Sequence, residues 1–243
     1  MHSIPGTFKI LLPNQIQVAG RTLLYIGHLP QTQWHAHCCE TWLFGLDGPL
    51  QVRVANSKHI HRARSAVIAA NTQHILHAPD TRVGVVLLDP VISATTQPEA
   101  DAIGQHRDAA HWIQALNQGG TIDADDAVWR PHTTACAALD PRVLAAAEQV
   151  DARLFENQPV SDLAKSVALS ESRLQHLFAS QTGLRLRQYR LWMRVLKTAG
   201  DAALGHSMTD AAHANGFSSS AHFSSSFRKS FGLAPSEILN SNP

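Results

Sequence analysis

Cysteine is scarce, long apolar runs are absent and net charge is close to zero, and each shortage narrows what this chain can be. Three cysteines, Cys38, Cys39 and Cys136, do not make a disulfide framework. Two of them are adjacent, so on a strand they would point to opposite faces, and a bond between them would be strained. A reducing compartment is the expectation. No stretch approaches the roughly twenty apolar residues of a bilayer span. The opening Met1-His2-Ser3-Ile4-Pro5 carries neither the basic nor the apolar block of an export signal. A cytoplasmic protein without a membrane partner is therefore expected. With 243 residues, 44% hydrophobic and 16% charged, the chain has room for one large globular domain or two small ones.

The net charge of +1 hides an asymmetry. Residues 1–141 hold 9 Lys/Arg against 11 Asp/Glu, whereas residues 142–243 hold 11 against 8. This leans weakly toward a polyanionic partner at the C-terminal end. Histidine is skewed the other way, with 11 of 15 in the first 141 residues.

The halves also differ in periodicity. Residues 22–26, 42–46, 50–54 and 83–88 are rich in β-branched and aromatic side chains and are separated by turn signals such as Leu46-Asp47-Gly48-Pro49. Short strands at this spacing predict a barrel or a double-sheet sandwich. From Pro90 the pattern shifts, and 108–117 and 122–129 read as short helices about Gly119-Gly120. Pro141 suits the first turn of a firmer helix over 142–155. Beyond it, 161–168 reads as a short helix capped by Ser161, and Ser170 caps a second helix ending at Gly183. A long helix over 186–203 has one apolar stripe, formed by Tyr189, Trp192, Val195, Leu196, Ala199 and Ala203. The short-helix, turn, second-helix pattern then returns, with a capping box at Ser207 to Asp210, a turn at Asn215-Gly216-Phe217, and Phe223 and Phe227 at i, i+4. Two helix-turn-helix units joined by one connecting helix are predicted. That helix of 18 residues would span about 27 Å, commensurate with two successive major grooves about 34 Å apart.

The run from Ala168 to Phe178 with Thr182-Gly183, and the run from Asn215 through Phe223 and Phe227 to Phe231-Gly232-Leu233-Ala234-Pro235, resemble the DNA-binding module of AraC/XylS-type regulators. The resemblance covers about residues 142–239. It implies a sequence-specific transcriptional regulator rather than an enzyme, reading double-stranded DNA in the major groove, with RNA polymerase as a further partner. In the first unit Ser172, Arg173, Gln175, His176 and Ser180 would face DNA. In the second, Ser218, Ser220, Ala221, His222, Ser224, Ser225, Arg228 and Lys229 would do so. Gln pairs bidentately with adenine and Arg with guanine or phosphate, whereas serine hydroxyls accept either base type or phosphate. The serine-rich second unit is thus expected to position more than to specify.

Such regulators couple this module to a cupin-like β-barrel, which the front strands resemble. The implied fold is α+β and multidomain: a cupin-like barrel with helices over 1–90, a helical linker or dimerisation segment over 91–141, and an all-α tandem helix-turn-helix module over 142–243. The barrel would sense a small molecule or a metal. His35-Ala36-His37, Glu40 and the distal His74 resemble the ligand set of metal-binding cupins and would suit a divalent transition metal. His28, His59, His61 and His77 are placed to face the same barrel mouth. Ordinary hydrogen-bonding histidines and a metal-free effector pocket are open alternatives, as are a metal-dependent cupin enzyme with a DNA-binding tail and a ligand-independent regulator whose barrel only dimerises.

Overall fold

The computed structural model of the protein describes residues 7–10, 15–93, 103–123 and 139–239. Its first half runs β1 (Thr7–Ile10), β2 (Gln15–Ala19), β3 (Thr22–Gly27), β4 (Thr41–Gly45), β5 (Leu50–Val54), β6 (Ile60–Ala63), β7 (Ser65–Ile68), β8 (His74–His77) and β9 (Val83–Leu87). Then come α1 (Pro90–Ser93), β10 (Ile103–Gly104), α2 (Ala109–Gln118) and β11 (Gly120–Asp123). The second half is α3 (Pro141–Ala152), α4 (Val160–Ser166), α5 (Glu171–Thr182), α6 (Leu186–Ala203), α7 (Met208–Ala214), α8 (Ser220–Phe231) and α9 (Ser236–Leu239). None of the described helices is long and apolar enough to cross a membrane.

Six strands form one antiparallel sheet in the order β10-β7-β4-β9-β3-β2. Its central strands β3, β4 and β9 are buried on both faces, so both sets of alternating side chains are apolar. Leu23, Tyr25, Leu43, Val85 and Leu87 enter the main core. Leu24, Ile26, Trp42, Phe44 and Val86 point the other way, into a cluster completed by Trp112 and Leu116 of α2. The expected helix over 108–117 is therefore present, but its largest apolar side chains cover their own chain's sheet rather than a second copy. The helix expected over 122–129 begins instead as a strand, with Ile122 paired to Phe8 in a β1–β11 ladder. Its remainder lies outside the described residues, as does Cys136. The partner strand is more than a hundred residues away, beyond the reach of local periodicity.

The expected cupin-like barrel does not close among the described residues. Among the described residues the strands make three separate sheets, of six, three and two strands. At the β8 edge of the three-stranded β6-β5-β8 sheet there is only an isolated bridge, His35 to His74, in place of a continuous ladder.

The helical half follows its caps. Asp140 accepts from the Arg142 amide ahead of Pro141, Ser170 from Arg173, Ser207 from Asp210 and Ser219 from His222. Ser161 does not cap α4. The helix starts one residue earlier, after Pro159, which supplies no side-chain bond, and Ser161 sits in its first turn. The pairs α4–α5 and α7–α8 have the same lengths, 7 and 12 residues. In each, the residue after the short helix's C-cap is left-handed: Ala168 with φ 54° and Gly216 with φ 81°. Between the halves, Arg21 sits against Asp89 and Asp151, and Tyr189 Oη donates to Asp151 at 3.0 Å.

A left-handed alanine costs roughly 1–2 kcal/mol of Cβ crowding, only part of which glycine's greater unfolded-state freedom would offset. Ala168→Gly is therefore expected to raise stability by about 0.5–1 kcal/mol, read as a higher urea midpoint at unchanged slope.

Candidate functional site

Three of the four side chains expected to ligate a metal come together. His35, His37 and His74 are buried, and their candidate ligand nitrogens all lie within 4.8 Å of one another. His35 and His74 meet because their backbones are paired, with amide-to-carbonyl distances of 3.2 and 2.9 Å. His37 reaches the same place two residues on. Each ring is held by its Nδ1, which lies 2.9 Å from the Gln33 carbonyl in His35 and 2.8 Å from the Thr72 carbonyl in His74. A carbonyl only accepts, so these Nδ1 atoms carry the proton and Nε2 keeps its lone pair. His37 Nδ1 is 2.8 Å from Thr41 Oγ1, whose own proton points to the Cys39 carbonyl. Burial, then the neighbouring His74, pushes the His35 pKa down to about 3. His37 is pushed down by burial and both neighbours, and His74 chiefly by burial. All three rings are neutral near pH 7.

Glu40 does not join them. Its carboxylate accepts from Trp42 Nε1 at 2.7 Å, on the sheet face that α2 covers. Strand parity is the reason. Even positions 40, 42 and 44 share one face, and Thr41 and Leu43 share the other with the histidines. His28, His59 and His61 are exposed and His77 half-buried, and none belongs to the cluster. Cys39 is buried, with its thiol pKa raised chiefly by burial, so it is not poised as a redox group.

The histidines line a cavity of about 40 Å³ whose other walls are mostly apolar: Tyr25, Leu43 and Leu87 from the large sheet, and Phe227, Phe231 and Leu233 from the helical half. Residues of α8 and the segment after it thus close the chamber. The Phe231 ring lies 5.6 Å from that of His37. The Gln33 amide donates to the Gly232 carbonyl at 2.8 Å. Gly232 ends α8 at φ 69°, and a Cβ there would stand 2.5 Å from the Gln33 carbonyl oxygen and 2.7 Å from His35 Nδ1. Sequence reasoning missed Gln33, Phe227 and Gly232 as parts of this site. Phe227 and Gly232 are accounted for within the helical module, and nothing local signals their second contact.

The other candidate surface lies on α5 and α8. Leu174 and Phe178 are buried, while Ser172, Arg173, Gln175, His176 and Ser180 are exposed. Gln175 Nε2 donates to Glu171 at 3.1 Å and Ser180 Oγ to the Leu177 carbonyl at 3.0 Å. On α8 and just before it, Ser218, Ala221, His222, Ser225, Arg228 and Lys229 are exposed. Ser220 and Ser224, expected on the same face, are half-buried beside Phe223 and Phe227.

Known proteins resemble the chain in two ways. A family model described as "Helix-turn-helix domain" matches residues 163–241. The Escherichia coli protein YidL, described as an uncharacterized HTH-type transcriptional regulator, is 35% identical over 94 residues, 36% of this chain and 30% of that protein. The chain thus matches less than a third of that relative's length. Two crystal structures of ToxT from Vibrio cholerae share the fold across nearly the whole chain. An apo variant has a TM-score of 0.60 at 12% identity, covering 92% of this chain and 98% of that one. A form bound to an unsaturated fatty acid has a TM-score of 0.58 at 11% identity, covering 90% and 94%.

Gly183 ends α5 as Gly232 ends α8, at φ 68°, but a Cβ there would meet nothing. Gly183→Ala is therefore expected to cost only the left-handed strain, about 1 kcal/mol. Gly232→Ala should cost about 3 kcal/mol or more by adding a clash with backbone. Equal costs in urea unfolding would mean that α8 does not seat on the histidine segment in solution.

Proposed function

We propose, from the premise that the C-terminal part of the chain is an AraC-type helix-turn-helix domain, that the protein is a sequence-specific DNA-binding transcriptional regulator with an effector-sensing N-terminal domain. One observation carries this reading. Two helix pairs of equal lengths flank α6, and α5 and α8 each bury aromatic residues while leaving polar side chains exposed. That is the form of a tandem helix-turn-helix module, with α5 and α8 as recognition helices in the major groove. On α5, Arg173, Gln175 and His176 can form base-edge hydrogen bonds. On α8, Arg228 and Lys229 suit phosphate, and Ser218, Ala221, His222 and Ser225 present small polar or apolar groups. Ser220 and Ser224, half-buried, line the edge of that surface.

The sensing part of the reading rests on the chamber between sheet and α8, which can take a small molecule or a metal ion. ToxT, whose fold the chain shares, has been seen with an unsaturated fatty acid bound. RNA polymerase would be the partner of the DNA-bound form in the cytoplasm. A homodimer would use a surface other than the Trp112 and Leu116 face of α2.

On a duplex selected from random sequence, at fixed salt, Gln175→Ala and His176→Ala are each expected to weaken binding by roughly 1–3 kcal/mol and to relax preference at one or two base pairs. Lys229→Ala should weaken all duplexes alike and reduce the salt slope by about one counterion. Unchanged affinity and footprint for the α5 variants would refute the base-reading assignment.

A further inference from the structure

We propose that the effector is a single divalent transition-metal ion held by Nε2 of His35, His37 and His74, without Glu40, and that its arrival is relayed to α8 through Gln33 and Gly232. This rests on reading the chain as an effector-controlled DNA-binding protein. It goes further by naming the effector's chemistry and the route of its signal.

Three features favour an ion over an organic molecule. The cavity, about 40 Å³, lies far below the roughly 300 Å³ at which pockets for drug-sized ligands begin. Three buried imidazoles converge with their candidate ligand nitrogens within 4.8 Å. Nitrogens bound to one zinc at about 2.0–2.1 Å sit about 3.3 Å apart when tetrahedral, so small ring rotations close the site. Each Nδ1 is bonded to an oxygen, of Gln33, Thr41 or Thr72. Such outer partners fix the tautomer and the direction of the Nε2 lone pair in metal sites. An all-imidazole set without thiolate or carboxylate suits zinc, copper or nickel, and three protein ligands leave a fourth position for water.

The relay is a chain of contacts. An ion drawing on His35 Nε2 would strengthen its Nδ1–H bond to the Gln33 carbonyl and so restrict the backbone torsions of Gln33, which link that carbonyl to the residue's own amide. The Gln33 amide donates to the Gly232 carbonyl, which belongs to the residue that terminates α8. Beside it the His37 ring faces Phe231. Fixing these rings fixes the seat of α8's last turn. Ala221, His222, Ser225, Arg228 and Lys229 stay exposed in the seated arrangement. Holding α8 there removes freedom without covering its DNA-facing side, and preorganisation of this kind raises affinity.

The test uses the untagged full chain, stripped of metal and titrated with Co²⁺ and Zn²⁺. Wild type should take up one equivalent of Co²⁺ with a ligand-field spectrum of four-coordinate cobalt, displaced by Zn²⁺. His37→Gln and His74→Gln, checked for folding by circular dichroism, should each lose at least a hundredfold in metal affinity, whereas Glu40→Gln should match wild type. Zinc should tighten wild-type binding to the selected duplex at least tenfold. Gln33→Pro, which removes the amide donor to Gly232 and keeps the Gln33 carbonyl and all three histidines, is checked for folding by circular dichroism and should bind cobalt normally and lose the zinc response. No metal uptake by wild type, or retention of the metal in both histidine variants, overturns the site. A hundredfold loss in Glu40→Gln overturns the three-histidine set. Metal uptake that leaves DNA affinity unchanged or weaker overturns the relay. Failure to bind any duplex, with or without zinc, would instead refute the regulator reading, and metal stoichiometry would still judge the site.

Discussion

The seat of α8 on the histidine segment is the contact on which the arrangement of the two halves depends. Gly232 has to be glycine twice over, once for its left-handed φ and once because the Gln33 peptide and the His35 ring occupy the space a Cβ would need. Around that point Phe227, Phe231, Leu233 and Ile238 complete a cavity that the sheet alone leaves open. One continuous cluster of buried side chains therefore runs from Leu23 and Tyr25 through Trp192 to Phe231. A helical module attached by a free linker would bury its own core and stop. Here its last turn is also part of the first half's core, and any change at the histidines acts on a wall that belongs to both.

The polar contact between the halves works differently. Arg21, in the turn between β2 and β3, reaches Asp89 beyond β9 and Asp151 on α3, and Tyr189 of α6 closes the network on Asp151. Asp89 is buried, and burial raises its pKa against the pull of Arg21. A buried ion pair of this sort contributes little net stability, because desolvation offsets most of the attraction. Its directional bonds constrain geometry instead. The two halves then touch through an apolar wall at α8 and a charged anchor at α3 and α6, and two separated contacts resist rotation better than one.

What the sequence revealed follows the range of the interaction behind each feature. α6 begins and ends where periodicity and flanking residues place it, because an eighteen-residue helix is decided by its own stripe. The caps at Ser170 and Ser207 are likewise local, and β3 and β5 were readable from their β-branched and aromatic runs. Strands β6 and β8 were not: β6 is largely exposed, and β8 is four residues with a histidine at each end. The β1–β11 and β7–β10 pairings join segments that carry no mutual signal. At the site, His-x-His and His74 were legible as residue types, and their convergence needed the bridge between residues 35 and 74. Glu40 fitted the spacing of a ligand and failed on parity, since the regular strand that sets its direction begins only at Thr41.

α5 and α8 are also tied to the first half unequally. α5 packs against α1, beyond the end of β9, whereas the end of α8 rests on the histidine segment itself. The helix with the proposed base-reading groups thus lends no residue to the histidine-lined cavity, and the serine-rich one forms part of its wall. On the proposed reading, an effector that moved only α8 would change how well the second unit grips, while the hydrogen bonds offered by Arg173, Gln175 and His176 would stay the same. Backbone contacts set affinity and register, and base-edge contacts set sequence. Control exerted through α8 would therefore alter how tightly the protein holds its sites without altering which sites it recognises.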